Sequence, residues 1–174
     1  MGDGSRATAS ASNTDITMHE LILEMNQIGP LFIKDPGQRT PEVDKKVRET
    51  AIDILVFREL AVQEAVRQGI KAKPSAVEEA RKQLKQDLGS EDNYRNYLQK
   101  MALTEESLGR MLKRDILFNK ITAKEIFQKA KANDKIAIEK RKKQWETGLK
   151  KKAKIAILLP DVEEKIIEDP HKKN

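Results

Sequence analysis

The chain has 174 residues and a formal net charge of +6, with 36% charged, 38% hydrophobic and only 4% aromatic residues. That balance, rich in Leu, Ile, Lys, Glu, Gln and Ala, favours a helical fold with a modest core over a sheet-rich one. Cysteine is absent, which removes disulfides and thiolate metal sites and leaves the redox compartment undetermined. The positive charge permits attraction to nucleic acid, anionic membranes or acidic clients without selecting among them.

Residues 1–14 are rich in Gly, Ser, Ala and Thr with no periodicity, which reads as a disordered lead. No signal-peptide h-region follows Met1, so the chain is either cytoplasmic or a mature form whose targeting segment has been removed. Thr17-Met18-His19-Glu20 is a capping box, and Leu21, Met25 and Ile28 follow at helical spacing up to Gly29-Pro30. Leu31-Phe32-Ile33 is an apolar island in the loop that comes next, read either as a plug on the following helix or as an exposed contact.

Thr40-Pro41 supplies an N-cap and a first-position proline, and Gly69 supplies a stop. The helix between them, Pro41 to Gln68, is about 42 Å long at 1.5 Å per residue. Ala51, Ile52, Ile54, Leu55, Val56, Phe57, Leu60, Ala61 and Val62 make its middle apolar nearly all round, so other elements must cover it. It is the expected central helix.

Pro74 opens the next helix, where Ser75-Ala76-Val77-Glu78 reads as a second capping box and Gly89 as the stop. Ser90 caps a short helix carrying Tyr94, Tyr97, Leu98 and Met101. Thr104 opens a longer one running through Met111 to Phe127. After a polar break at Ala130 to Lys135, Ile136 to Lys152 is a very basic helix, and Ala153 to Leu159 reads as a strand stopped by Pro160. A lone strand needs a partner, either the segment before Asp15 or a second copy by strand or segment exchange. Residues 160–174 are a charged tail.

Catalytic chemistry is thin. The two histidines are His19, read as an exposed first-turn residue, and His171, in the tail. No Gly-rich phosphate loop and no metal-ligand spacing stands out, so no catalytic residue, metal or cofactor is assigned. Lys140-Arg141-Lys142-Lys143, Lys150-Lys151-Lys152 and Lys154 surround Trp145. Either this is a basic nucleic-acid-binding helix with one stacking aromatic, or Trp145 and Leu149 pack inward beneath a solvated face.

Several runs, taken in order, carry a family resemblance. They are Arg58-Glu59-Leu60-Ala61 to Gly69-Ile70-Lys71, Pro74-Ser75-Ala76-Val77-Glu78, Leu88-Gly89-Ser90-Glu91 and Tyr94-Arg95-Asn96-Tyr97-Leu98, followed by Leu103-Thr104-Glu105-Glu106-Ser107-Leu108. Together they resemble the chaperone region of SurA-like and PrsA-like peptidyl-prolyl isomerase proteins of the bacterial cell envelope. Asp15-Ile16-Thr17 to Glu20-Leu21 is similar to that family's opening, and Trp145 to Ile157 to its closing helix and strand. The isomerases insert a parvulin domain between the third helix and the closing helix, whereas only Phe127 to Lys135 occupies that interval here. Ser12-Asn13-Thr14 departs from the family's first strand, leaving the partner of Ile155 to Leu158 undetermined.

The resemblance implies a mostly α-helical SurA N-terminal-like chaperone domain over residues 15–159, with the N- and C-terminal segments packed together, a long central helix and a minimal terminal β element. It implies an ATP-independent chaperone of the periplasm or cell envelope, without isomerase chemistry, whose partners are unfolded or exported client proteins rather than a small-molecule substrate. Adaptable apolar side chains are the expected client contacts: Met25, Leu31, Phe32, Ile33, Tyr94, Tyr97, Met101 and Met111. Nucleic-acid binding through Lys140 to Lys154 is the alternative, as is a structural or assembly subunit pairing through Ala153 to Leu159.

Overall fold

Helix formation follows the caps and stops written in the chain. The computed structural model describes residues 7–12, 14–130 and 134–157. In it, α1 spans Met18–Phe32, α2 Pro41–Arg67, α3 Pro74–Leu88, α4 Glu91–Lys100, α5 Glu105–Thr122 and α6 Lys135–Lys152. Three short strands, β1 (Ala7–Ala11), β2 (Thr14–Thr17) and β3 (Ile155–Ile157), a 3-10 turn at Pro36–Gln38 and a π turn at Ala123–Phe127 complete the described elements. The fold is mostly α with a small β element.

The capping box at α1 is fully formed. The Glu20 amide donates to Thr17 Oγ1 at 3.2 Å, and the Thr17 amide donates to Glu20 Oε2 at 2.8 Å. At α5 the reciprocal pair is Thr104 with Ser107. Gly69 and Gly89 end α2 and α3 with φ of +73° and +79°, a region where a Cβ is strained. Thr17→Ala or Thr104→Ala removes the acceptor for an otherwise orphaned helix amide and is expected to lower stability by about 1 kcal/mol in urea melts.

Three sequence readings are corrected. Gly29-Pro30 does not end α1: the helix runs through Pro30 to Phe32, and the Ile33 amide closes on Gly29 O at 2.9 Å. Proline at that point forfeits one helix hydrogen bond within the last turns, where the loss is smallest. Ser75 is not a cap: Lys73 holds the N-cap position without a side-chain bond, and Pro74 takes the first turn, where its missing N–H costs nothing. The disordered lead is revised where it is described, because Ala7–Ala11 form β1, with Thr8, Ala9 and Ala11 fully buried; residues 1–6 and 13 lie outside the described residues.

The sheet order is β2-β1-β3, all antiparallel, with Ala9 opposite both Ile16 and Ile157. Thr8 Oγ1 donates to Ile16 O at 3.0 Å, which satisfies a hydroxyl that would otherwise be buried unpaired. β3 therefore finds its partner in the segment before Asp15 of its own chain. Leu158, Leu159 and the charged tail at 160–174 lie outside the described residues.

The chain divides into two compact units, residues 1–60 with 150–174, and residues 61–149. α2 runs from the first into the second. In the first unit, α1 packs on β1 and β2, and Leu21 and Ile28 of α1 and Val47, Ala51, Ile52, Val56, Phe57 and Leu60 of α2 are buried. Ile54 and Leu55, read as part of a helix apolar all round, are only half-buried, so that stretch of α2 has a partly wetted side. In the second unit, α3 packs on α4 and α5, over Tyr94, Leu108, Leu117, Ile121 and Ile126.

Candidate functional site

On α1 two neighbouring rows differ in what they meet. Leu21, Glu24 and Ile28, spaced i, i+3, i+7, are buried. Displaced by one residue, Ile22, Met25, Gly29 and Phe32 share the adjacent side of the helix at i, i+3, i+7, i+10. Ile22 is 47% exposed, while Met25 and Phe32 are half-buried. A Cβ built on Gly29 meets nothing within 4 Å, so the row is flat and open there. Leu31, at the end of α1, is 76% exposed, and Ile33 is half-buried. The apolar island thus sits in the last helical turn and just beyond it, with Phe32 carrying Lys46 of α2 over its ring at 5.7 Å.

The backing of this row is anchored by charge. Glu24, 6% exposed, accepts from Arg58 Nη1 of α2 at 3.4 Å. That ion pair lets α1 keep a carboxylate on its inner row, and the half-exposed Arg58 stays in contact with solvent at the same time.

The second group of predicted contacts lies in the 61–149 unit, and there Tyr94 is corrected. It is 1% exposed, its hydroxyl donates to Glu105 Oε2 at 2.9 Å, and Lys85 lies 4.4 Å from its ring centroid. Arg81 of α3 donates to the Glu105 carboxylate, to Glu105 O at 3.2 Å and to Glu78 Oε1 at 3.3 Å. Tyr94 is the pin that ties α3, α4 and α5 together, not a surface contact. Burial pushes its hydroxyl above the ordinary phenol range, Glu105 adds to the effect and Arg81 opposes it. Tyr97, one turn on, is half-buried, and its hydroxyl is also raised, by burial and then by the charge of Asp115 on α5. Met101 and Met111 are half-buried in the same unit.

A polar hub went unread in the sequence. Residues Ala123–Phe127 form one π-helical turn after α5, and in it Glu125 is 6% exposed. Its carboxylate accepts from Gln68 Nε2 at 3.3 Å, from Lys129 Nζ and from Arg141 Nη2 at 3.2 Å. Arg141 Nε also donates to Glu125 O at 2.8 Å, and Lys124 Nζ reaches Gln68 Oε1 at 2.6 Å. Burial alone raises the Glu125 carboxyl, but bonds from Lys129 and Gln68 and the charges of Lys129 and Arg141 outweigh it, leaving it below the usual carboxylate range.

The basic helix α6 splits by direction. Arg141 faces the hub, and Trp145 is only 8% exposed, so it packs inward and offers no stacking face to a base. Asp134 caps the helix, accepting from the amides of Ile136 and Ala137 at 3.0 and 3.1 Å. His19 is half-buried rather than exposed, with Nε2 enclosed and unpaired among the described residues. Among the described residues, no group of histidines and acids is placed to hold a metal ion, and no helix is long and apolar enough to cross a membrane.

The model of the SurA-like N-terminal domain family matches residues 1–122, from the first residue to the last residue of α5. No curated protein matches the chain. The matched family is chaperone-related and typically associated with the cell envelope. With α5 joined to α6 through residues 123–134 alone, the interval that holds a parvulin domain in the isomerases is here taken up by the π turn and a short connector. The matched span and the helical architecture agree: the chain belongs to the SurA-like N-terminal domain family.

Proposed function

We propose that the protein is an ATP-independent chaperone of the periplasm or cell envelope that holds extended or unfolded segments of exported proteins, without isomerase chemistry. The observation that carries this reading is the open row on α1, with Ile22, Met25 and Phe32 beside the shelf at Gly29 and Leu31 76% exposed at its end. Such a surface offers flexible apolar contacts without a deep pocket, which suits weak binding to many sequences. Ile33 extends the same surface. Tyr97, Met101 and Met111 are proposed as a second, separate contact area in the 61–149 unit, and Tyr94 is withdrawn from the set because it is buried.

The test is suppression of aggregation of a chemically unfolded client, measured by light scattering without nucleotide. Leu31→Asp is expected to reduce suppression several-fold while leaving the thermal melt unchanged, since exposed positions tolerate charge with little effect on stability. Acceleration of prolyl isomerisation by the pure protein, or suppression unaffected by Leu31→Asp and Met25→Asp, overturns the proposal.

A further inference from the structure

The outward side of α6 has a chemistry of its own, separate from the client surface. Ile136, Lys140, Lys143 and Thr147 fall at i, i+4, i+7 and i+11, so they form one row along the helix. Ile136 is 82% exposed, and Lys140, Lys142, Lys143 and Thr147 are exposed. Lys140, Lys142 and Lys143 make no ion pair or hydrogen bond among the described residues. Over residues 135–149 the acids are Glu139, which is exposed, and Glu146, which is half-buried and already engaged.

What faces inward on α6 is as informative as what faces outward. Arg141, the helix's guanidinium and so the side chain best shaped to fork a phosphate or a guanine edge, is committed to Glu125. Trp145, the sole aromatic of α6, is buried. The devices that read or stack on nucleic acid are therefore withdrawn, leaving compact ammonium charges and one isoleucine. Ammonium groups on long flexible stems attract a diffuse negative surface without demanding a fixed geometry, and an exposed aliphatic side chain among them is suited to the boundary between headgroups and acyl chains.

From this arrangement we propose that the outer row of α6 docks on the anionic surface of a lipid bilayer, with Lys140 and Lys143 over the headgroups and Ile136 at the acyl boundary. Docking is peripheral and reversible, since two charges and one apolar side chain give far less than a membrane-spanning segment. The attraction is electrostatic at long range, so it weakens as salt shortens the Debye length. It does not depend on the client-binding proposal, and aggregation suppression in lipid-free solution is expected to be indifferent to it.

The experiment is flotation of the full chain with vesicles of phosphatidylcholine containing either no or about one-third phosphatidylglycerol. The expected result is binding to the anionic vesicles only, lost at high salt. Lys140→Glu with Lys143→Glu is expected to weaken it by at least about tenfold, from the surface attraction of each lysine. Ile136→Asp should weaken it as well. The double variant Lys82→Glu with Lys100→Glu, at exposed positions of α3 and α4, makes the same change in net charge and should stay within about twofold of the parent, as expected for charges outside the contact. Equal loss in both double variants, equal binding to neutral vesicles, or tighter binding to a duplex oligonucleotide than to anionic vesicles overturns the proposal. Thermal melts of all variants separate lost docking from lost folding.

Discussion

Leu60→Asp is expected to abolish the cooperative unfolding transition. Leu60 is 5% exposed in the middle of α2 and adjoins Glu59, itself buried at 4%. A second carboxylate placed there is desolvated and lies next to one that the fold already has to accommodate. The cost of an unpaired buried charge is about 4 kcal/mol or more, a large share of the roughly 5–15 kcal/mol that holds a typical domain folded. Two companion variants separate charge from volume. Leu60→Ala leaves a cavity and should lower stability by about 3 kcal/mol while keeping a single transition. Ile54→Asp, on the half-buried side of the same helix, should cost only about 1–2 kcal/mol because its carboxylate can reach water. Denaturant melts followed by far-UV circular dichroism provide the comparison. If Leu60→Asp melts like the parent, α2 is not the central helix of the fold.

Glu125→Gln is expected to lower stability by about 2 kcal/mol at neutral pH and to flatten the acid limb of the stability profile. The substitution keeps shape and one acceptor oxygen but removes the charge on which Lys129 and Arg141 converge. The full cost of breaking a buried pair, about 3–5 kcal/mol, is not expected, since both cations stay partly solvated. Their side chains are 50% and 30% exposed. The pH dependence has a definite sign. The carboxyl titrates lower in the fold than in the unfolded chain, so between the two values the unfolded chain binds more protons. The contribution of Glu125 is therefore fully present above the ordinary carboxylate range and is lost as pH falls through the lowered value. Urea midpoints from pH 7 down to pH 2 should converge for parent and variant at the acid end. Midpoints that fall in parallel would mean that the hub carries no charge-dependent stability.

The helices were legible where they carry their own punctuation. Thr17, Ser90 and Thr104 cap where the pattern places them, and Gly69 and Gly89 take positive φ at the expected stops. Elements defined by distant partners were not. β1 is Ala-Thr-Ala-Ser-Ala, a run with almost no β-branched or large apolar content. It is a strand because β2 and β3 pair with its two edges, and no local propensity encodes that. Pro30 inside α1 obeys a local rule only in the sense that the helix has little left to lose there.

At the candidate site, the apolar island was visible and so was its ambiguity. Spacing placed Tyr94 beside Tyr97 and Met101, but only the tertiary partners Arg81 and Glu105 show that it points inward. Ile22 was missed because an apolar residue between two others in a helix start looks like core. The hub at Glu125 joins residues 57 and 16 positions away. Its carboxylate had no more prominence in the sequence than its neighbours, and charge pairs at that separation have no periodicity to detect.

The sheet order carries a consequence for how the polypeptide assembles as it leaves the ribosome or a translocation pore. β1 is the earliest described strand to emerge, yet it lies between β2 and β3, and β3 is the last described element to emerge. The 61–149 unit is contiguous and can close on its own segment. The first unit cannot finish its sheet until residues 155–157 are free, since loop closure over nearly the whole described chain has to precede the β1–β3 ladder. Until then β1 waits with one edge open, its backbone N–H and C=O groups on that side still without their ladder partners.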